Sequence, residues 1–383
     1  MRASIISVVE GGIFLMSKVY YTDMKAKDKD SNLINKLSKL FNEAGFDKLI
    51  EEDELFGIKL HFGEEGNTGF IRPVFIRRLV EEIKKAQGKP FLTDANTLYS
   101  GTRSNTVDHL NTAIANGFGY STVQAPLVIA DGLKGKNYRE IEINQKHFEQ
   151  VRIGSEIYSA DGMFGIAHFK GHELTGFGGA IKNVGMGLGS RSGKQMMHAT
   201  VSPEVVDEEC VACGKCSEWC PADAFVIGDV SQLDSEKCIG CGECMVTCPT
   251  DAITVQWDDA PVAVQERMAE YTLGILKDKK DKVGFINFVM DISPLCDCCG
   301  WSDRPIVDDI GILASKDPVA IDQASADLVN EQLGRKNSAL QKNFKPGEDK
   351  FRGVHPNVDW TAQLAHGERI GLGSRDYELI KID

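Results

Sequence analysis

The stretches CVACGKCSEWCP (residues 210–221) and CIGCGECMVTCP (residues 238–249) are two copies of one pattern, Cys-x-x-Cys-x-x-Cys-x-x-x-Cys-Pro. The second copy starts 28 residues after the first, since 238 minus 210 is 28. Each copy is followed by an Asp-Ala pair and then by an apolar segment. A repeat of this kind indicates one supersecondary unit that is used twice.

This cysteine spacing is typical of [4Fe–4S] sites in bacterial ferredoxins, where the fourth cysteine of each run binds the cluster of the other run. Zinc sites or disulfides are an alternative, but they leave the third and fourth cysteines and both prolines unexplained. The predicted ligands are Cys210, Cys213, Cys216 and Cys248 for one cluster, and Cys238, Cys241, Cys244 and Cys220 for the other. The sequence therefore predicts two [4Fe–4S] clusters in a module that resembles the two-cluster ferredoxins.

Negative charge is concentrated around these cysteines. Residues 203–258 contain 12 acidic residues and two lysines, a net charge of −10, while the whole chain carries −13. This acidity has two interpretations, solubility or a docking face for a basic redox partner. The predicted partner is a low-potential electron donor or acceptor protein, and the acidic chain argues against binding to nucleic acid.

The bulk composition is that of an ordinary globular protein of two or three domains, with 383 residues and 42% hydrophobic content. No stretch approaches the ~20 apolar residues that cross a bilayer, so no membrane association is expected. Eleven cysteines, eight of them assigned to metal, indicate a reducing compartment, interpreted as the cytoplasm of an anaerobe. Residues 1–17 make a poor signal peptide and are interpreted as an extension, with the first fifteen arising from an upstream start site.

Strand and helix patterns alternate on both sides of the cysteine-rich segment. Strands are predicted at 56–63, 90–95, 126–132, 163–169 and 283–290, and helices at 72–87, 106–116, 262–279 and 318–334. Such alternation favours parallel strand pairing with right-handed crossovers. The predicted fold is an α/β core with a mostly parallel sheet, interrupted by an inserted α+β two-cluster ferredoxin-like domain. The predicted boundaries are 1–17 for the extension, 18–202 and 259–383 for the core, and 203–258 for the insert.

A second group of cysteines lies in SPLCDCCG, residues 293–300. Cys296, Cys298 and Cys299 follow a predicted strand, and open α/β sheets place their sites at the carboxyl ends of strands. Three roles remain open for these thiols: a mononuclear metal site, a nucleophile with a resolving partner, or an additional cluster completed by other side chains. A buried, inert cysteine loop is the structural alternative.

A matching segment upstream reads HFKGHE (168–173) and continues as TGFGGAIKN (175–183). Its glycines and lysines suit a backbone nest for an anion or a cofactor, although the spacing fits neither a Walker loop nor a dinucleotide fingerprint. His168 and His172 are interpreted as ligands or proton donors, and Lys182 as the group that binds an anion. The cofactor-binding candidates are Lys170, Gly178, Gly179 and Asn183; Asp94, Asn96, His61 and His198 are weaker candidates for the same pocket.

From Lys18 to about Leu333 the chain resembles the domain-of-unknown-function 362 family. The resemblance rests on IKLHFGEEGNTGFIRP, on HFKGHELTGFGGAIKNVGMG, on the inserted cysteine runs and on CDCCGWSDRPIVDDIGILASKDPVAIDQAS. It implies an α/β core carrying a two-cluster ferredoxin domain, with no settled general activity. The recurring residues of the family fall on His168, Lys170, Gly171, His172, Lys182, Asn183, Cys296, Asp297 and Cys298. Asp308, Asp317, Pro318 and Asp322 recur in the tail, where helix caps and turns explain the aspartates.

The leading hypothesis is an iron–sulfur redox protein, an oxidoreductase of unknown small-molecule substrate. In it the ferredoxin module relays single electrons to a site in the core made by the 296–299 thiols with His168, His172 and Lys182. A further metal or cofactor in that core site is part of the hypothesis. The alternatives are a non-catalytic electron carrier and a maturation protein for metal centres.

Overall fold

A computed structural model describes residues 16–99, 101–198, 203–220, 222–238, 243–254, 261–279 and 281–382. The strands are β1 Ser17–Asp23, β2 Leu55–Lys59, β3 Lys89–Asp94, β4 Leu127–Ile129, β5 Tyr138–Glu142, β6 Gln150–Gly154, β7 Gly162–His168, β8 Lys170–His172, β9 Gly176–Gly178, β10 Glu204–Val205, β11 Phe225–Ile227, β12 Ser231–Leu233, β13 Ile253–Thr254, β14 Val283–Val289, β15 Gly311–Ser315 and β16 Tyr377–Lys381. The helices are α1 Leu33–Glu43, α2 Pro73–Lys85, α3 Thr106–Ala113, α4 Tyr120–Val123, α5 Ser155–Tyr158, α6 Ala180–Leu188, α7 Arg191–His198, α8 Lys215–Glu218, α9 Glu243–Thr247, α10 Pro261–Leu276, α11 Pro318–Asn330, α12 Lys350–Val354 and α13 Thr361–Arg369.

Eight strands form one sheet in the order β16-β1-β15-β14-β7-β2-β3-β4. Strands β14, β7, β2, β3 and β4 run parallel to one another, whereas β15 is antiparallel to both of its neighbours. The predicted α/β core with a mostly parallel sheet is therefore confirmed. The antiparallel strand β15, which follows the 293–300 loop, was not predicted.

Helices cover both faces of this sheet. Buried side chains of α6, α10 and α11 form a core on one face, and those of α1 and α2 form a core on the other. Strand β7, at the centre, is buried along its whole length, which explains its continuous apolar sequence. A helix layer on each face is the arrangement that parallel crossovers produce.

Local signals in the sequence set several of the helix boundaries. Helix α2 begins with Pro73 at its first turn, as predicted. Its end differs from the prediction, because Gln87 rather than Gly88 takes the left-handed conformation, with φ of 69°. After α3, residues 114–118 form a π-type turn in which Gly117 has φ of 91°, a conformation that glycine adopts without strain.

The cysteine-rich segment consists of small antiparallel pieces beside the main sheet. Its first and last described strands, β10 and β13, pair with each other, and β11 and β12 form a hairpin between them. The two short helices α8 and α9 carry cysteines of the two runs. The predicted extension lies outside the described residues except for Met16 and Ser17, and Ser17 begins β1. Among the described helices, none combines the length and the apolar character that a membrane span needs.

Helix α6 packs very closely against α10. A Cβ atom added at Gly185 would lie 2.2 Å from the carbonyl oxygen of Met268 and 2.6 Å from Oγ1 of Thr272. Both contacts are closer than real Cβ atoms come, and the nearest atom belongs to the backbone of the facing helix. The residue at position 185 must therefore be glycine for the two helices to keep this distance.

We expect Gly185→Ala to lower the free energy of unfolding by about 1–3 kcal/mol, the usual cost of overpacking a core. The measurement is a denaturant unfolding curve of wild type and variant. Gly119→Ala is the matched control, because its new Cβ would meet only Ile114 at 3.8 Å. Equal midpoints for Gly185→Ala and Gly119→Ala would contradict this account of the α6–α10 contact.

Candidate functional site

A cavity of about 420 Å³ lies at the carboxyl ends of β2, β3 and β7. Lys59 and Asp94, the last residues of β2 and β3, line it together with His168 at the end of β7. The opposite wall comes from α6 and α7 and from the 293–300 loop. This is where parallel α/β sheets carry their ligands, because strand ends and the following loops meet there.

Sulfur and imidazole groups meet on one side of the cavity. The ligand atoms of His172, Cys296 and Cys298 all lie within 4.8 Å of one another, and His172 and Cys296 are buried. A His/Cys group of this size and composition could hold a metal ion. Cys299 lies next to this group but does not line the cavity. Its carbonyl oxygen accepts a hydrogen bond from Nδ2 of Asn67.

Cys296 is the acidic thiol of the pair. A hydrogen bond with Cys298 and the nearby ammonium of Lys182 hold the pKa of Cys296 well below its usual value, against the effect of burial. Nζ of Lys182 lies 3.5 Å from Sγ of Cys296. The same hydrogen bond between the two thiols raises the pKa of Cys298. The arrangement thus stabilises one thiolate, at Cys296, beside one protonated thiol.

The orientation of the His172 ring bears on whether this group holds a metal. Its Nδ1 accepts hydrogen bonds from the backbone N–H groups of Leu174, at 3.1 Å, and Thr175, at 3.3 Å. The neutral ring therefore carries its proton on Nε2, and a hydrogen bond with Cys296 opposes the effect of burial on the pKa of His172. Metal-bound histidines instead donate their second N–H to an acceptor. The ring environment thus favours a hydrogen bond to the thiolate over a metal–imidazole bond. Burial and Lys182 lower the pKa of His172.

A buried carboxylate, Asp297, fixes the cysteine loop. Nδ1 of His168 lies 3.0 Å from each carboxylate oxygen, and Nζ of Lys170 lies 3.3 Å from one of them. Although burial opposes ionisation, these two groups hold the pKa of Asp297 below its usual value. Nε2 of His168 is also engaged, at 3.0 Å from the carbonyl oxygens of Met290 and Asp291. The structure therefore places His168 and Lys170 as the residues that position the 296–298 loop.

The glycines before α6 allow a close approach of Asp322. A Cβ atom at Gly179 would lie 2.2 Å from Oδ1 of Asp322. That carboxylate accepts hydrogen bonds from the N–H groups of Ala180 and Ile181, the first residues of α6. Burial raises the pKa of Asp322 to about 6. Asp322 thus occupies the N-terminus of α6, the position where an anion was expected. Asp317 caps its own helix, α11, as predicted.

Other predicted residues of this segment are held by internal contacts. Oδ1 of Asn183 accepts a hydrogen bond from Nζ of Lys59 at 2.8 Å, and its Nδ2 donates to the carbonyl oxygen of Ile166 at 3.1 Å. Gly178 lines the cavity, and its position leaves room for the side chain of Lys182, whose Cδ would lie 3.1 Å from an added Cβ. Gly178, Asn183 and Lys182 therefore lie in one wall.

Two buried cations in the cavity wall, Lys59 and Arg103, were missed by sequence reasoning. Nζ of Lys59 lies 3.1 Å from Oδ1 of Asp94, and Nε of Arg103 lies 3.0 Å from Oε2 of Glu64. Oδ2 of Asp94 also lies 3.5 Å from Nη1 of Arg103. The available signal was Lys59 itself, a lysine at the end of an otherwise apolar strand. Arg103 lies in a loop without a recognisable pattern.

In the cysteine-rich segment, one small cavity is lined by Cys210, Cys213, Cys216 and Cys248. These are the four ligands predicted for one cluster, including the one from the second run. The backbone N–H of Ser231 donates to Sγ of Cys210 at 3.4 Å, and its Oγ lies 3.0 Å from Sγ of Cys216. Four sulfur atoms around one cavity, with hydrogen-bond donors to the sulfurs, fit a thiolate-bound metal centre.

Of the second predicted ligand set, Cys220, Cys238 and Cys244 lie within the described residues, whereas Cys241 lies outside them. Sγ of Cys220 accepts a hydrogen bond from the backbone N–H of Ala224 at 3.3 Å. Cys244 is buried on α9. The described part of this set therefore offers three thiols.

Leu98 contacts both parts of the molecule. It lines the core cavity and also packs in a cluster with Cys216, Phe225, Cys244, Met245 and Ile253 of the cysteine-rich segment. Lys136 adds a polar contact, 3.1 Å from Oγ1 of Thr247 and 4.4 Å from the centre of the Trp219 ring. The cysteine-rich segment therefore lies directly against the wall of the cavity.

Among solved structures, the lactate racemase apoprotein from Thermoanaerobacterium thermosaccharolyticum is similar at 14% identity and a TM-score of 0.34, over 72% of this chain and 51% of that one. The chain thus spans about half the length of that protein, and a likeness this slight transfers no property. No curated protein matches the chain.

A family profile described as "Domain of unknown function (DUF362)" matches residues 57–327. This range contains the cavity wall of α6, the cysteine-rich segment and the 293–300 loop. Because the profile covers well over half of the chain, the protein belongs to the DUF362 family of domains of unknown function.

Proposed function

We propose that this protein is an iron–sulfur redox protein whose ferredoxin-like module exchanges single electrons with a thiol site in the α/β core. The observation that carries this proposal is the position of Leu98, which separates the module from the cavity that holds Cys296 and Cys298. An electron-transfer module that adjoins a reactive site is the arrangement that a relay needs.

The module is proposed to hold two [4Fe–4S] clusters, which supply one-electron transfer at low potential. The cavity lined by Cys210, Cys213, Cys216 and Cys248 supports the exchanged fourth ligand. Hydrogen bonds to the sulfurs from Ser231 and Ala224 are of the kind that tunes cluster potentials. The eight cysteines of the two runs are the proposed ligands.

The chemistry of the core site is proposed to reside in Cys296 and Cys298. Reducing a disulfide between them would break one S–S bond, take up two electrons and one proton, and yield a thiolate at Cys296 and a thiol at Cys298. Lys182 and His172 stabilise that thiolate, while Cys298 keeps the proton. The two proposed clusters, each a one-electron carrier, could together supply the two electrons that this disulfide takes up. A metal ion held by His172 and these thiols is the second candidate, supported by the spacing of the three ligand atoms.

The electron donor or acceptor is proposed to be a protein with a basic face. Acidic residues dominate positions 203–258, and Val211, Trp219 and Val226 are exposed in the described part of this segment. Exposed apolar groups within an acidic surface suit a transient redox complex steered by charge. The small-molecule substrate would enter the core cavity.

A reductive titration under anaerobic conditions tests the core site without knowledge of the substrate. We expect the oxidised wild type to take up about four electrons, about two into the clusters and two into the Cys296–Cys298 disulfide. Cys298→Ser should take up about two, because the disulfide cannot form. Cys299→Ser is the matched control: Cys299 hydrogen-bonds with Cys298 but does not line the cavity, so this variant should still take up about four electrons if the disulfide joins Cys296 and Cys298.

Metal analysis of the same samples separates the alternatives. About eight iron and about eight sulfide per chain are expected for the module. If a further metal is present in wild type and absent from Cys298→Ser, the core site is a metal centre and not a disulfide. If wild type takes up only about two electrons and holds no further metal, the core site is not redox-active and the protein is an electron carrier. Colourless protein, or zinc alone, would overturn the proposal, and clusters that transfer readily to acceptor proteins would favour maturation.

The contact at Leu98 gives a second prediction. Leu98→Ala removes a buried side chain between the module and the core, at a cost of about 2–5 kcal/mol. We expect this variant to lose iron to a chelator faster than wild type, measured as the rate of chelate absorbance. Leu133→Ala is the control, because Leu133 is 69% exposed. Equal rates of iron loss in the two variants would show that Leu98 does not support the module.

A further inference from the structure

Lys194 is a buried cation in the cavity wall with an unused hydrogen-bond donor. Its Nζ donates to the carbonyl oxygens of Gly187, at 3.2 Å, and Gly189. A lysine ammonium has three N–H groups, so one remains without a partner among the described residues. Within those residues, no carboxylate oxygen lies within 4.0 Å of Nζ. The side chain is nevertheless buried, with the residue only 6% exposed.

Arg103 presents further unused donors to the same cavity. Its guanidinium donates to Glu64 and to the hydroxyl of Tyr99, and one nitrogen lies 3.5 Å from Asp94. Five N–H groups are available, so two remain unused among the partners that the described part of the chain provides. Arg103 and Asp94 both line the cavity, whereas Glu64 does not.

Lys59 shows what a purely structural lysine looks like in this wall. Its three N–H groups are all used, by the carbonyl oxygen of Leu60 at 3.1 Å, by Asn183 at 2.8 Å and by Asp94 at 3.1 Å. Asp94 is thereby occupied by Lys59 as well as by Arg103. Lys194 has no such set of partners, which separates it from the lysines that only support the fold.

Helix α6 sets the distance between these donors and the thiols. Lys182, near its start, contacts Cys296, whereas Gly187, five residues later, lies against Lys59 and accepts the hydrogen bond of Lys194. At a rise of 1.5 Å per residue, five residues span roughly 7–8 Å. A small molecule anchored at Lys194 would therefore reach the sulfur side of the cavity with its other end.

We propose that the cavity binds a small organic anion whose carboxylate or phosphate group is held by the free donors of Lys194 and Arg103. The remainder of the molecule lies between α6 and the thiols of Cys296 and Cys298. This inference names the class of substrate for the proposed function. The reaction of that substrate rests on the proposed function, whereas its binding to the cavity does not. An oxyanion supplies acceptors for these unused donors and adds to the charge of the carboxylates of Asp131 and Asp94, which already act on the two cations.

Calorimetric titration of oxidised, anaerobically prepared protein tests this inference with three probes. Succinate carries carboxylates, succinamide is its uncharged analogue, and inorganic phosphate represents the phosphate class. We expect succinate or phosphate to bind and succinamide not to bind, a comparison that needs no variant. Lys194→Met should weaken binding of the anion by at least about tenfold, the cost of losing a hydrogen bond to a charged group.

Lys134→Met is the matched control, because Lys134 is exposed and lies outside the cavity lining. It should bind the anion as wild type does. Binding of succinate alone identifies a carboxylate ligand, and binding of phosphate alone identifies a phosphate-bearing ligand. Equal binding of succinate and succinamide, absence of binding by both anions, or equal affinities of the two lysine variants would overturn the proposal. Because no electron donor is present, the result is independent of whether the module relays electrons.

Discussion

The buried carboxylate of Asp297 is the constraint on which the core site depends. It lies between two cysteines that line the cavity, and His168 and Lys170 of the β7–β8 segment hold it. A buried ion pair adds little net stability, because each charge loses its hydration, but removing one partner leaves an uncompensated charge in the interior. The loop therefore depends on the contacts of Asp297 with both His168 and Lys170. Because Asp297 is held in this way, the neighbouring thiols of Cys296 and Cys298 lie close to His172.

Backbone contacts support the same loop from two other sides. The N–H of Gly171 donates to the carbonyl oxygen of Ser293 at 2.8 Å, and a Cβ at Gly171 would lie 2.3 Å from the carbonyl oxygen of Pro294. The carbonyl oxygen of Asp297 accepts from the N–H of Glu64 at 3.1 Å. Two segments far apart in sequence, those of Glu64 and Gly171, thus meet at one short loop, which explains why the thiols keep a defined position in the cavity wall.

Much of this could be predicted from the sequence, because local patterns carry the information. The strand and helix alternation gives the α/β core, and the position of Cys296 after a strand places it at the correct sheet edge. Strand order and the antiparallel β15 depend on contacts between distant segments, which no local pattern specifies. The glycines at 178 and 179 predict an anion site in sequence, yet Asp322 from α11 occupies the N-terminus of α6. The unused donor of Lys194 could not be predicted either, since its hydrogen-bond partners come from the folded chain.

Leu98 has a consequence for the thermodynamics of the proposed relay. Leu98 lines the cavity and also packs in the hydrophobic cluster of side chains that contains Cys216 and Cys244. A ligand that shifts Leu98 therefore also changes the environment of those two sulfurs. Linkage then requires reciprocity: if occupancy of the cavity alters the reduction potential of the module, the redox state of the module alters ligand affinity by the same factor. One leucine in a shared wall would in this way make the potential a function of ligand concentration.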